Sequence, residues 1–244
     1  MEKNKIYFAS DFHLGSPSLK ESHIREKIIV KWLDMIKIDA HSVYLLGDIF
    51  DFWFEYKKVV PKGFIRFLGK LSELSDLGIE IHFYVGNHDL WAKNYLNKEI
   101  GINIHHKNKI IKLQNKNIFL SHGDGLGKGN FYFKCLKLIF KSSICNWLFS
   151  LLHPDFAIKI AHYWSNMSRK NNNEFSYEKD VLFQYAKERK NKIDYFIFGH
   201  THNPILQKID KNCIYVNLGE WIKGRHYAVL EKGNISLKQY SIKD

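Results

Sequence analysis

Seven side chains in this sequence offer oxygen or nitrogen donors in a pattern suited to metal ions: Asp11, His13, Asp48, Asn87, His122, His200 and His202. Asp11 and His13 are two residues apart, as are His200 and His202, and in extended backbone such a pair lies on one side. Asp48 follows Gly47, which permits a tight turn, and Asn87 contributes an amide oxygen. Carboxylate, imidazole and amide donors suit Mn, Fe or Zn better than thiolates would. Two divalent ions about 4 Å apart need ligands for each and one group that bridges both, and a pair of that kind activates water against phosphate esters and anhydrides. A lone D-x-H or G-N-H-D arises by chance, and a lone histidine at a strand end is more often structural. Five such pieces in order, each at the end of an apolar run, are hard to assemble by accident.

The apolar runs read as buried strands. Residues 6–8 lead into Asp11 and His13, 43–46 into Gly47-Asp48, and 81–85 into Gly86-Asn87-His88-Asp89. Residues 118–120 lead into His122-Gly123-Asp124, and 195–198 into Gly199-His200-Thr201-His202. In open α/β sheets, sites form beyond the carboxyl ends of strands, so five strand ends on one rim would gather these distant residues. Helices lie between them. Ser18 with Glu21 reads as a capping box, followed by Ile24, Ile28, Trp32 and Met35 at helical spacing to about residue 37. Phe64, Phe67, Leu68, Leu71 and Leu74 predict a second helix closed at Gly78. After Gly219 the chain returns to β character over 227–230, with a turn at Gly233-Asn234. Residues from about 130 to 185 differ: helical in pattern and rich in aromatics such as Phe140, Trp147, Phe149, Phe156 and Trp164, with a break at His153-Pro154. This segment reads as a helical cap inserted in a single domain that spans 1–244.

In these motifs the chain resembles the calcineurin-like metallophosphoesterase superfamily: D-x-H at 11–13, G-D-x-x-D at 47–51, G-N-H-D at 86–89, a later His122, and G-H-T-H at 199–202. The resemblance implies an α/β fold, a four-layer αββα sandwich with the cap inserted. It implies that Asp11, His13, Asp48 and His202 hold one ion, that Asp48 bridges, and that Asn87, His122 and His200 complete the second. A hydroxide shared by the two ions then attacks phosphorus in line. The resemblance also makes His88 a catalytic group at the transition state or leaving oxygen, and Asp51 the carboxylate that orients it. The bland readings are a structural histidine beside Asn87 and a solvated loop acid. Asp124 reads either as a partner of His122 or as part of a glycine turn.

Within that superfamily the S-D-F-H-L-G opening, the G-D-I-F-D-F-W block and the H-G-D-G loop are similar to the UDP-2,3-diacylglucosamine diphosphatases of lipid A synthesis. That likeness implies cleavage of a nucleotide-linked lipid to UMP and 2,3-diacylglucosamine 1-phosphate, with acyl chains held between cap and core. It carries substrate contacts onto Asn87, His88, His200, Ser168 and Asn172. A family lysine falls on Phe175 here, and the best-known branch has Arg at the position of His88 and Asp at that of Asn130, so a cation such as Arg169, Lys170 or Lys179 is sought as a replacement.

The 244 residues carry a net charge of +12, mostly scattered lysine. Such a surface suits phosphorylated substrates and an anionic membrane face. No aromatic-and-basic stacking platform is evident, so no nucleic-acid partner is expected. Cys135, Cys145 and Cys213 have neither disulfide nor zinc-ribbon spacing. With no leader pattern and no run of about 20 apolar residues, the expected place is the cytoplasm, peripheral to the inner membrane. Two divalent ions are the expected cofactors, Mn first, with Fe or Zn as alternatives. The competing functions are another phosphoesterase on the same core (for phosphoprotein, dinucleoside polyphosphate or cyclic nucleotide), a nuclease, and a non-catalytic scaffold.

Overall fold

The structure is a computed structural model that describes residues 3–128, 137–168 (backbone alone from 162) and 180–241. In chain order its first elements are β1 (Lys5–Ala9), α1 (Leu19–Ile36), β2 (Ala40–Leu46), α2 (Ile65–Asp76), β3 (Glu80–Tyr84), α3 (Tyr95–Ile100), β4 (Asn103–His105), β5 (Lys109–Leu113) and β6 (Lys116–Leu120). There follow α4 (Ser143–Ser150), α5 (Pro154–Ser168), α6 (Val181–Arg189), β7 (Tyr195–Phe198), β8 (Ile205–Lys208), β9 (Ile214–Asn217), β10 (His226–Glu231) and β11 (Asn234–Gln239).

Two mixed sheets stack face to face. One has the order β11-β10-β1-β2-β3-β4 and the other β5-β6-β7-β9-β8. The strands that carry donors run parallel to their donor-bearing neighbours: β1 with β2, β2 with β3, and β6 with β7. Their carboxyl ends therefore open on the same side within each sheet.

Period-two alternation explains the layers. In β1, Ile6 and Phe8 point between the sheets, while Tyr7 and Ala9 point to the helices outside. In β7, Tyr195 and Ile197 point inward, and Phe196 and Phe198 meet Leu182, Phe183 and Ala186 of α6. Helices α1 and α2 cover the first sheet through Ile29, Trp32, Leu33, Phe67, Leu71 and Leu74. The result is the four-layer αββα sandwich.

Ser18 caps α1: its hydroxyl accepts the Glu21 N–H at 3.3 Å and donates to the Glu21 carboxylate at 2.7 Å. The buried face is turned away from the predicted stripe, and Ile24 and Met35 are exposed. Two charged residues take that space, Arg25 and Glu26. Glu26 accepts the N–H groups of Arg66 and Phe67 at 2.9 and 3.1 Å, and so caps α2, whose own first residue offers no side-chain acceptor.

The segment read as a cap divides. The 142–168 stretch forms α4 and α5 around the His153-Pro154 break. Residues 181–185, expected in the insertion, instead belong to α6 and pack on the second sheet. Phe183 needs that apolar surface, and Asp180 anchors the helix start by accepting the Leu182 N–H at 2.8 Å. Among the described residues no helix is long and apolar enough to cross a membrane.

Candidate metal centre

All seven donors predicted from the sequence stand at one rim. Asp11, His13 and His202 bring one ligand atom each within 4.8 Å of one another, as do Asp48, His122 and His200. Asp48 lies between the groups: Oδ2 is 3.2 Å from His122 Nε2 and 4.0 Å from His13 Nε2. The Asn87 amide oxygen is 3.2 Å from the same His122 nitrogen.

The loops that present these donors are bent. Asp11, His13, Asp48, His200 and His202 have φ of 54, 45, 53, 69 and 59°. Left-handed backbone at non-glycine residues costs about 1–3 kcal/mol apiece and persists only where surroundings impose it. Here main-chain hydrogen bonds impose it. Asp11 N–H donates to the Gly47 carbonyl at 3.0 Å, and His13 N–H to the Asp48 carbonyl at 2.9 Å. His88 N–H donates to Asp48 Oδ1 at 2.9 Å, and His200 N–H to Asp11 Oδ2 at 3.0 Å. Gly86 and Gly199 are obligatory for a different reason: a Cβ on the first would strike the Asp48 carboxylate, and one on the second Asp11 and Ser10. Their φ angles are ordinary; close approach selects glycine.

Two of the imidazoles are aimed by main-chain carbonyls. His122 Nδ1–H donates to the Leu46 carbonyl at 2.8 Å, which leaves Nε2 facing Asp48. That settles Asp124: it does not orient His122, but pairs with Lys137. His88 Nδ1–H donates to the Asp51 carbonyl at 2.9 Å, leaving Nε2 3.9 Å from Asp48 Oδ2. Asp51 thus reaches His88 through its main chain, while its carboxylate stands 3.7 Å from His13 Nδ1. Ser168 and Asn172, with Asn130, Phe175, Arg169, Lys170 and Lys179, lie outside the residues whose side chains are described.

The donors fit a pair of cations. Buried Asp11 Oδ1 makes no well-formed hydrogen bond, although His202 Nε2 stands 3.1 Å from it. His13 Nε2 and His202 Nε2 approach to 3.1 Å, lone pair toward lone pair unless a proton or an ion sits between. Burial opposes charge on His13, but Asp11, Asp51 and Asp48 outweigh it and raise the imidazole to about 9. Burial opposes charge on His122 too, and Asp48 overrides it. Asp48 is pulled far down by His122 and His88 against its own burial. Protons on these imidazoles thus occupy places where cations would satisfy the same carboxylates. His200, driven down to about 4 by burial and then by His122, is already a neutral ligand at pH 7.

Three residues that set this geometry escaped the sequence reading. Arg25, buried in α1, donates to the His13 carbonyl at 2.6 Å and to that of Ser16. Asp89, the last letter of G-N-H-D, accepts the Gly86 N–H at 2.6 Å and the Ile49 N–H at 2.8 Å, tying two ligand loops together. Asn217, at the end of β9, donates to the Gly199 carbonyl at 2.7 Å and the Thr201 hydroxyl at 2.9 Å. Asp89 was visible within its motif; Arg25 and Asn217 carry no local signal.

Over the rim, Phe149 of α4 packs on Trp91 at 4.6 Å and on Phe54 at 4.9 Å between ring centroids. The Trp91 indole N–H donates to the Phe140 carbonyl at 2.8 Å. Beyond this seam Ile144, Trp147, Leu148, Leu151 and Phe156 remain exposed.

Comparison with known proteins agrees with the geometry. The calcineurin-like phosphoesterase family model matches residues 4–204. The chain is similar to the UDP-2,3-diacylglucosamine hydrolase of Porphyromonas gingivalis, 36% identical with 97% of each chain covered. A protein of the same name from Histophilus somni is 26% identical over 93% of this chain and 95% of that one. A solved dimetal phosphatase from Danio rerio aligns at 11% identity with a TM-score of 0.46, covering 98% of this chain and 96% of that one. With its two donor groups joined at Asp48 and a family match over most of its length, this chain belongs to the calcineurin-like phosphoesterases.

Proposed function

We propose that this protein hydrolyses the diphosphate of UDP-2,3-diacylglucosamine, releasing UMP and 2,3-diacylglucosamine 1-phosphate. The observation that carries the reading is an apolar cap seated on a donor set for two cations, in a chain related end to end to hydrolases of that substrate.

Asp11, His13 and His202 would hold one ion, and Asn87, His122 and His200 the other, with Asp48 shared. Mn²⁺ fits this oxygen-and-nitrogen set, and Fe or Zn fits it next. When bound, the pair acidifies water and neutralises charge on the phosphoryl oxygens. The protein's own part is alignment. The carbonyls of Leu46 and Asp51 hold protons on the Nδ1 atoms of His122 and His88, so both Nε2 atoms face the reacting group. His88, not needed as a ligand, donates from Nε2 to a phosphoryl or leaving oxygen when protonated. Asn87, His88 and His200 touch the phosphate, and Ser168 and Asn172 the headgroup. The exposed face of α4 and α5 takes the acyl chains and meets an anionic membrane surface from the cytoplasmic side. The cap is a helical insertion in one domain, bounded by the rim loop after His122 and by α6.

Purified protein incubated with Mn²⁺ and UDP-2,3-diacylglucosamine is expected to release UMP, and His13→Ala to abolish it. Bis(4-nitrophenyl) phosphate and a phosphopeptide run alongside. Turnover of those simple substrates alone overturns the lipid reading and leaves a phosphoesterase of another specificity.

A further inference from the structure

A cavity of about 380 Å³ opens beside His122, between the ends of β3 and β4, the 123–126 turn and a helical turn at 137–141. Its wall carries Lys107, Lys137, Lys141, His106 and Asn108, with Asp124 the carboxylate among its described lining. Lys137 is spent: its ammonium pairs with the Asp124 carboxylate and donates to the Asp124 carbonyl at 2.8 Å. Among the described residues, Lys107 and Lys141 have no carboxylate within ion-pair distance. Burial and then Lys137 hold the Lys141 ammonium below its ordinary value, with Lys107 adding to the effect, and burial and Lys141 do the same to His106. Like charges gathered in a recess repel unless an anion joins them.

The two sides of the metal centre differ in chemistry. Toward the cap stand Phe52, Phe54 and Trp91, an aromatic wall. Toward the cavity stand amines, and His122 belongs to both the donor set and the cavity wall. In a diphosphate the two phosphoryl groups share a bridging oxygen. With one of them among the donors, the other must lie immediately beside it.

We propose that this cavity receives the phosphoryl group that is not attacked, and that Lys107 and Lys141 make the enzyme select diphosphates over simple phosphate esters. The inference rests on the phosphoesterase reading of the adjoining centre but not on the identity of the lipid. It also supplies cations from the β4–β5 connection and the 137–141 turn, where the sequence had pointed to the 169–179 stretch.

The test uses UDP and UMP as inhibitors of bis(4-nitrophenyl) phosphate hydrolysis with Mn²⁺ in excess, and calorimetric titration of both nucleotides into the loaded protein. Wild type is expected to bind UDP roughly 10-fold or more tightly than UMP, as hydrogen bonds to a charged group would give. Lys107→Gln with Lys141→Gln is expected to collapse that ratio toward one. Turnover of the aryl ester and metal content should stay unchanged, and Lys107→Arg should keep the preference. An unchanged ratio in the double variant, or no preference in wild type, overturns the inference. Should UDP preference appear while UDP-2,3-diacylglucosamine is not cleaved, the lipid reading fails and the diphosphate subsite stands.

Discussion

Asp48 is 2% exposed, stands between two donor groups and is held by the backbone of a loop 40 residues away, whereas Trp147 of α4 is 60% exposed. The rim loops spend strained backbone and buried polar atoms to fix donor positions before any ligand arrives. Among the described residues, α4 and α5 keep large apolar side chains such as Trp147 and Phe156 in solvent, while Phe140 and Phe149 pack on Trp91. An exposed apolar surface of that kind is what the proposed acyl-chain site requires. Under the proposed function the contrast is a division of labour, with chemistry at the rim and substrate choice above it. Substitutions in the rim should therefore damage every substrate alike, and substitutions in the cap should separate them.

The largest effect belongs to Asp48→Ala. Removal of the shared carboxylate should lower turnover of both the lipid nucleotide and bis(4-nitrophenyl) phosphate by roughly 10³-fold or more, about 4 kcal/mol of lost transition-state stabilisation. Elemental analysis should show fewer than two ions per chain. Selective loss of the lipid substrate alone would break the division. Gly86→Ala comes next. Its new methyl group meets the Asp48 carboxylate, so a loss on the order of 10²-fold on both substrates is expected with the fold intact by circular dichroism. Asn217→Ala releases the Gly199 and Thr201 contacts without touching a donor, and a loss of about 10- to 100-fold in metal affinity or activity is expected.

The cap gives smaller numbers but the sharper separation. Trp147→Ser should leave thermal stability within about 0.5 kcal/mol and aryl phosphate turnover unchanged, while binding to anionic vesicles falls several-fold. Phe149→Ala, by contrast, should cost about 2 kcal/mol, less than a full core truncation because the ring is half-buried. Equal effects of the two would deny that α4 has a docked face and a free face. Smallest is a proton count. Below about pH 9 metal-free His13 holds a proton that ligation must displace, and His122, also raised, does the same. Loading with Mn²⁺ at pH 7 should therefore release protons, and apparent affinity should rise with pH toward 9. Calorimetry in two buffers of different ionisation enthalpy reads this directly, and no proton release would contradict the assigned charges.

Much of this was legible from residue order. The five strand-then-donor units are local facts: a short apolar run and then a ligand, with a glycine before the ligand at Gly47, Gly86 and Gly199. Burial of a strand and the turn at its end depend on neighbours in the chain, so Asp11, His13, Asp48, Asn87, His122, His200 and His202 could be named together. The parts that failed to show are those where polar residues do structural work. Arg25 and Glu26 displaced the expected face of α1, because their partners, the His13 carbonyl and the start of α2, are brought near only by folding. The short strands β4 and β8 carry little apolar signal of their own and form because a neighbour is there to pair with.

The sequence by itself determined the donor inventory, its order, and the alternation that splits side chains between two sheet faces, because these follow from residue type and local periodicity. Only the tertiary structure decided that Asp51 serves His88 through a carbonyl, that Asp124 answers Lys137 rather than His122, and that α6 belongs to the core. Each of those outcomes turns on distances between segments remote in the chain, and the packing of one layer on another sets them.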